Sequence, residues 1–479
     1  MAQIKSYWQN YIDGRWVDGA SGARFPIEDP ATGRQIAEIA RAGKADVDAA
    51  VQSARRAVAS RALYDMKPDK RCQLLNAMGR EIRALGDEIV PVMTADNGKN
   101  LDFSRDEVEG TARYFEYYAG MADKMHGRSI PLGDGYLDYT QLVPYGVSAQ
   151  VVPWNFPLEL AARSLAPALA GANAVVIKSP EISPLGICFL AIAAERAGLP
   201  KGYLNIVCGN GEEAGEALTS HPGIDQIVFT GSVATGQRIM HKAADRVVPC
   251  VMEMGGKSAG IVYPDADLET TAKSAAIAIL AHAGQVCSAG SRLIVHRSIH
   301  DELVERITAV AKSFTMGPGV ENHFLTPVIS RNQLDKIERY CQSGVQAGAR
   351  AVIGGRRVDR PGHFMAPTIF TGVTTDMLVN REEIFGPVLS VLSFDQPEEA
   401  LAIANGTDYG LAAGVYTRDL GRAHWTADRL EAGSVFVNQW FAGGNEVPFG
   451  GFKRSGFGRE KGVEALGNYV QTRNVAVRL

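Results

Sequence analysis

The 479-residue chain is predicted to fold as a mixed α/β protein built on parallel sheets. Three observations carry that expectation. Between Gly146 and Met254, strand-like and helix-like segments alternate, which in a compact domain means parallel strands with helices on both faces. A second alternating block runs from about Gly255 to Glu446. Two further stretches, 127–145 and 468–477, show the period-two alternation of extended strands outside either block.

Residues 11–40 read as short strands and turns, with Asp29, Pro30 and Gly33 supplying one turn. From Ala45 to about Met121 the pattern is helical. Val47, Ala50, Val51 and Ala54 set one apolar face, and Leu74, Met78, Ile82 and Leu85 set a second. Tyr114, Phe115, Tyr117 and Tyr118 sit on a third helix and read as core packing. Pro131, Gly133 and Gly135 then precede the alternating Tyr136, Asp138, Thr140 and Leu142, an arm that leaves the domain and returns. This arm and the 468–477 segment would expose strand edges in a lone chain, so both are expected to pair with other copies. In the first block the expected strands are 147–152, 174–178, 204–207, 226–230 and 247–252. Its helices are expected over 158–170, 183–197, 211–219 and 232–243. In the second block the expected strands include 259–262, 293–296 and 434–437, with helices over 267–281 and 298–313.

Composition narrows the function. Apolar residues make up 46% and charged residues 21% of the chain, an ordinary globular balance. The net charge of -4 with no basic block argues against a nucleic-acid partner. No apolar run reaches the roughly 18 residues that span a bilayer, and residues 1–10 lack the core of a signal peptide. The six cysteines are scattered with no Cys-x-x-Cys pair, which points to reduced thiols and a cytoplasmic location. The nine histidines form no zinc pattern, so no metal is expected.

Three places carry candidate chemistry. Cys287 lies in the small-residue turn Gly284-Gln285-Val286-Cys287-Ser288-Ala289-Gly290, between an Ala-rich helical run and a strand. Such a thiol is a nucleophile where something removes its proton, and otherwise a small buried hydrophobe. Gly231 and Ser232 end a strand and open a helix, where free N–H groups can hold a phosphate or Ser232 can simply cap the helix. Lys178 and Glu181 follow another strand, in reach of ribose hydroxyls or as plain surface charges. A strict Gly-x-Gly-x-x-Gly is absent from this block.

Read together, six motifs resemble the aldehyde dehydrogenase superfamily in its hydrolytic, acid-forming branch. They are Pro153-Trp154-Asn155-Phe156-Pro157, Phe229-Thr230-Gly231-Ser232, Met252-Glu253-Met254-Gly255-Gly256-Lys257, the Cys287 turn, Glu382-Glu383-Ile384-Phe385-Gly386-Pro387 and Pro448-Phe449-Gly450-Gly451-Phe452-Lys453. They stand in the family's order and spacing over nearly the whole chain. The resemblance implies a Rossmann-like cofactor domain (1–121 and 145–254), a second α/β catalytic domain (255–445), and a small β oligomerisation arm with a C-terminal segment (122–144 and 446–479). It further implies a homodimer or homotetramer.

The resemblance also implies roles. Cys287 becomes the nucleophile that forms a thiohemiacetal and then a thioester. Asn155 and the Cys287 N–H become oxyanion donors, and Glu253 the base for thioester hydrolysis. Trp154, Lys178, Glu181, Gly231, Ser232, Glu383 and Phe385 become cofactor contacts, with NAD preferred over NADP because Glu181 repels an extra phosphate. Phe156, Leu160, Arg163, Trp440, Phe441 and Phe449 are expected to line the substrate tunnel. Arg163 either grips a substrate carboxylate or pairs with Glu159, four residues earlier. The first case suits a semialdehyde bearing a carboxylate, the second a neutral or aromatic aldehyde. A CoA-acylating semialdehyde dehydrogenase and a non-catalytic protein of this fold stay open as alternatives. Glu253 counts against the first, and Cys287, Glu253 and Asn155 together against the second.

Overall fold

The computed structural model describes residues 4–479; residues 1–3, the start of the segment without a signal-peptide core, lie outside the described residues. Two largely parallel sheets form the frame. The first has eight strands in the order Gly456–Phe457, Cys250–Met254, Gln226–Gly231, Val147–Val151, Ala174–Ser179, Leu204–Cys208, Asn10–Ile12, Arg15–Val17. Its five central strands run parallel. They are rich in Val, Ile and Ala because helices cover both faces; every residue of Ala174–Ser179 is buried. Antiparallel pieces from the two ends of the chain close its edges.

Strand order reverses between Val147–Val151 and Gln226–Gly231. Ligand crevices in such sheets open at that reversal, outside the carboxyl ends of the strands. The segments leaving those ends are Pro153-Trp154-Asn155 and Gly231-Ser232, two of the six motifs. The helices Pro157–Ala170 and Val233–Ala244 follow directly.

The second sheet has seven strands in the order Arg350–Ile353, Thr368–Thr371, Val388–Phe394, Arg292–His296, Ala259–Val262, Ala412–Tyr416, Ser434–Val437. All neighbours are parallel except the Arg350–Ile353 edge. Helices Leu268–Leu280 and His300–Ser313 pack together over it.

Three expectations are corrected. The strand expected over 247–252 forms at Cys250–Met254. Val247 has φ 56° and is 90% exposed, so the turn out of the preceding helix consumes those residues. The shift places Glu253 inside the ladder, opposite Thr230 on one side and Gly456 on the other. The helix expected from residue 183 begins at Leu185, because Ser183 takes a left-handed φ of 61°. The two alternating segments do not wait for other copies. Tyr136–Pro144 and Val470–Arg478 pair antiparallel within one chain, which satisfies the backbone groups along one edge of each strand. Backbone bonds from Thr140 N to Arg128 O (2.8 Å) and Ile130 N to Asp138 O (3.0 Å) partly cover the other side of Tyr136–Pro144. The outer edge of Val470–Arg478 has no strand partner among the described residues.

Candidate active site

The turn that carries Cys287 is unusual in its backbone. After helix Leu268–Leu280, His282 (φ 48°), Ala283 (φ 52°) and Gly284 (φ 73°) are left-handed in succession. Two of the three carry side chains, and such strain persists only where the surroundings impose it. A Cβ on Gly284 would lie 2.2 Å from Gly386 O, so only glycine fits. The turn is pinned on three sides. Asn155 Nδ2 donates to Gln285 O at 2.9 Å, Ile329 N donates to Gln285 Oε1 at 2.8 Å, and Trp440 Nε1 donates to Ser288 O at 2.9 Å.

Trp154, Asn155, Leu160, Gly231, Ser232, Glu253, Cys287, Glu383 and Phe385 line one cavity of 220 Å³. Phe385 takes a left-handed φ of 59° and meets Trp154 edge-on, with ring centroids 5.3 Å apart. Gln333 Nε2 donates to Phe385 O at 2.7 Å and holds that turn. Gly256 N donates to Glu383 Oε1 at 3.1 Å, and a Cβ on Gly255 would meet the Glu383 carboxylate at 2.2 Å. Ser232 caps helix Val233–Ala244, accepting from Thr235 N at 3.3 Å. Lys178 Nζ lies 3.0 Å from Glu181 Oε2 at the end of its strand; Lys178 is buried, so it is not the surface charge its composition allowed.

Burial dominates the electrostatics. Glu253 is 2% exposed and its Oε1 has no hydrogen-bond partner among the described residues. Burial pushes its pKa up to about 8, with the Arg163 guanidinium pulling the other way. Burial likewise pushes the Cys287 thiol up to about 12, again against Arg163 and with help from Glu253. The resting sulfur is therefore a thiol, and the nearby carboxylate has an unusually high affinity for a proton. A thiol, a proton acceptor and an amide donor thus meet in one cavity, the set needed for acyl chemistry on sulfur.

The remaining predicted residues divide. Arg163 neither faces open space nor pairs with Glu159. Its Nε lies 2.9 Å from Glu460 Oε2, the two side chains being 3% and 0% exposed, and its Nη2 donates to Thr230 Oγ1 at 3.2 Å. Glu460 wins because the C-terminal segment folds back over the helix that carries Arg163 and delivers a carboxylate with no solvent to compete. Phe449 sits against the same guanidinium, its ring centroid 5.8 Å from Arg163 Cζ. Trp440 does not stand free at a tunnel mouth. Its ring packs on Gly414 and Gly290, where absent side chains leave room, and it props the Cys287 turn. Phe441 is 38% exposed beside it. Phe156 meets the His282 ring edge-on at 5.2 Å and has Lys99 Nζ 4.4 Å from its centroid.

Several of these neighbours were not singled out from the sequence: Lys99, Glu107, His282 and Glu460. Only His282, between Ala281 and Ala283, stands out locally; Lys99, Glu107 and Glu460 lie among other polar or charged residues, as in Asp106-Glu107 and Arg459-Glu460-Lys461, and carry no local signal.

A sequence profile described as the aldehyde dehydrogenase family matches residues 16–475. An aldehyde dehydrogenase of Aspergillus niger is 40% identical over 471 residues, covering 98% of this chain and 95% of that protein. The solved NAD+ complex of an aldehyde dehydrogenase from Bacillus cereus superposes with a TM-score of 0.98 at 38% identity, covering 100% of this chain and 98% of that one. A mutant of the indole-3-acetaldehyde dehydrogenase of P. syringae, solved with NAD+ and IAA, gives 0.97 at 38% identity, covering 99% and 97%. With identity of this order along almost its entire length, the chain belongs to the aldehyde dehydrogenase family.

Proposed function

We propose that the protein oxidises neutral aldehydes, aromatic ones included, to carboxylic acids with NAD, through a thiohemiacetal and then a thioester on Cys287. The observation that carries the substrate class is the buried Arg163–Glu460 pair. A guanidinium already matched by a carboxylate at 2.9 Å has no net charge to offer a second one. The P. syringae relative is an indole-3-acetaldehyde dehydrogenase, and that aldehyde is neutral and carries an aromatic ring, which agrees with this.

The residues present fit a dinucleotide. The strand reversal, Gly231, and the free N–H groups opening the 12-residue helix Val233–Ala244 form a phosphate cradle. Trp154, Glu383 and Phe385 are assigned to the nicotinamide end. Lys178 and Glu181 are assigned to the ribose of the adenosine half, where the half-exposed Glu181 carboxylate supports NAD over NADP. When bound, NAD supplies the hydride acceptor.

The chain's own residues do the rest. Glu253 takes the proton from Cys287 as the sulfur adds to the carbonyl carbon. The Asn155 amide and the Cys287 N–H donate to the oxyanion, one such donor being worth about 3–4 kcal/mol of barrier. Once the thioester stands, Glu253 releases the first proton to solvent and, as a carboxylate again, takes a proton from the water that attacks the thioester. A carboxylate beside the thioester favours water as acceptor, which sets this reading above transfer to CoA.

The test is kcat/KM for benzaldehyde, a medium aliphatic aldehyde and succinic semialdehyde, without CoA. The first two are expected to exceed the third by about tenfold or more, the scale of one unmatched charge contact. Equal or better use of succinic semialdehyde removes the neutral-substrate reading, and a strict need for CoA removes the hydrolytic one. The uncovered edge of Val470–Arg478 also supports assembly of copies. Light scattering is expected to return a dimer or tetramer; a monomer contradicts this.

A further inference from the structure

Behind the cavity lies an ion pair the mechanism above does not use. Lys99 and Glu107 are both fully buried and bonded to each other. A buried pair is a poor source of stability, because desolvating two charges offsets their attraction. What else the pair bonds is therefore the informative part.

Lys99 has three N–H donors. One goes to Glu107 Oε2, one to Asn155 O at 2.9 Å, and the ammonium stands 4.4 Å from the Phe156 ring centroid. Glu107 Oε1 accepts from Leu158 N at 2.9 Å and Glu159 N at 3.1 Å. Those two N–H groups belong to the first turn of helix Pro157–Ala170, where donors have no partner within the helix and a carboxylate is favoured. The two charges thus grip the turn 155–159 at both ends, by its first carbonyl and its last two amides. One residue earlier, Asn97 Nδ2 donates to Trp154 O at 2.7 Å. Gly319, at whose position a Cβ would lie 2.1 Å from Lys99 O, lets a neighbouring backbone press onto the same loop.

We propose that Lys99 and Glu107 are positioning residues that set the direction of the Asn155 side-chain amide toward the oxyanion. The inference rests on the reading of Asn155 as an oxyanion donor. The Asn155 side chain leaves a backbone held by Lys99, and its Nδ2 already spends one hydrogen on Gln285 O at 2.9 Å. Only the second hydrogen can meet the substrate, so a small rotation of this turn removes the donor. A misplacement of about 1 Å can cost on the order of 100-fold in rate. The buried His282 ring, edge-on to Phe156 at 5.2 Å, adds a rigid neighbour to the same turn.

The experiment is a double-mutant cycle read on the NADH burst of the first turnover. Lys99→Met with Glu107→Gln removes the charges together and leaves no orphan ion. It is expected to slow the burst about tenfold to a hundredfold while NAD affinity stays within about twofold. In an Asn155→Ala background the same pair of changes is expected to cost nothing further, because its only route to the reaction is gone. Losses that multiply in the two backgrounds, or an unchanged burst, overturn the positioning role. An Asn155→Ala protein with a normal burst overturns instead the donor reading beneath it. Lys99→Arg alone keeps a cation paired with Glu107 while shifting the donor to Asn155 O, so it reports even if the paired change does not fold. It is expected to show a smaller loss of the same kind, again absent without the Asn155 side chain; a loss that persists there counts against the proposal.

Discussion

Cys287→Ala protein is expected to fold, bind NAD as the parent does, and form no NADH from any aldehyde, a loss of at least about 10⁴-fold in turnover. The two halves of that expectation have separate grounds. Cys287 as a residue is of intermediate burial and is not one of the core residues, so removing its sulfur leaves no large void. The turn is pinned by neighbours, through Gln285 to Asn155 and Ile329 and through Ser288 to Trp440, and none of those bonds uses the thiol. The backbone should hold its shape. Chemistry has no such redundancy. The other five cysteines do not line the cavity. Without a covalent adduct, a carbonyl carbon would have to give up hydride directly, and carbonyls are poor hydride donors. Steady NADH formation within tenfold of the parent would remove Cys287 from the mechanism. A complementary check uses the parent protein: quenched during turnover, its acyl group should be found on the peptide containing Cys287.

The motifs were legible because each is contiguous. A cysteine among small residues, a glycine at a strand end and a proline closing a turn are local statements, and local chain geometry decides them. The alternation of strands and helices was equally readable, since sheets buried on both faces demand unbroken apolar runs. What could not be read is pairing at a distance. Arg163 was weighed against Glu159, its neighbour on the helix surface, but meets Glu460 across the fold. Lys99 carries nothing in its surroundings to announce Asn155, 56 residues on. The family resemblance implied that Trp440 lines the substrate tunnel, whereas its ring is received by a groove. Gly290 and Gly414, far from it in sequence, provide that groove. The strand that carries Glu253 began later than its apolar run suggested because the turn before it needed room. The reactive groups were thus written locally, whereas the charges that tune and orient them are a property of tertiary structure.

Glu253 is where that tuning is most exposed to measurement. Burial without a hydrogen bond on Oε1 lifts its pKa from the usual 4.5 to about 8. The folded chain then keeps a proton that the unfolded chain has already released. By linkage, folding loses stability as pH rises from about 4.5 through about 8, and the loss is constant above that. A Glu253→Gln protein has no such charge to bury. Its Tm should match the parent's near pH 4 and exceed it at pH 9, with the gap opening between. Catalysis should move the opposite way. Only the carboxylate can accept a proton from water, so parent turnover should climb with pH and level off above about 8. The glutamine variant should acylate Cys287 more slowly, because the thiol has lost its base, and hydrolyse the thioester more slowly still, so a burst of NADH precedes a stall, with steady turnover reduced about 10²–10⁴-fold and no longer rising with that limb. Full steady turnover in this variant would show that another group activates water. A parent Tm that gains on the variant as pH rises would show instead that the carboxylate is stabilised where it lies, and the raised proton affinity on which the base assignment depends would be wrong.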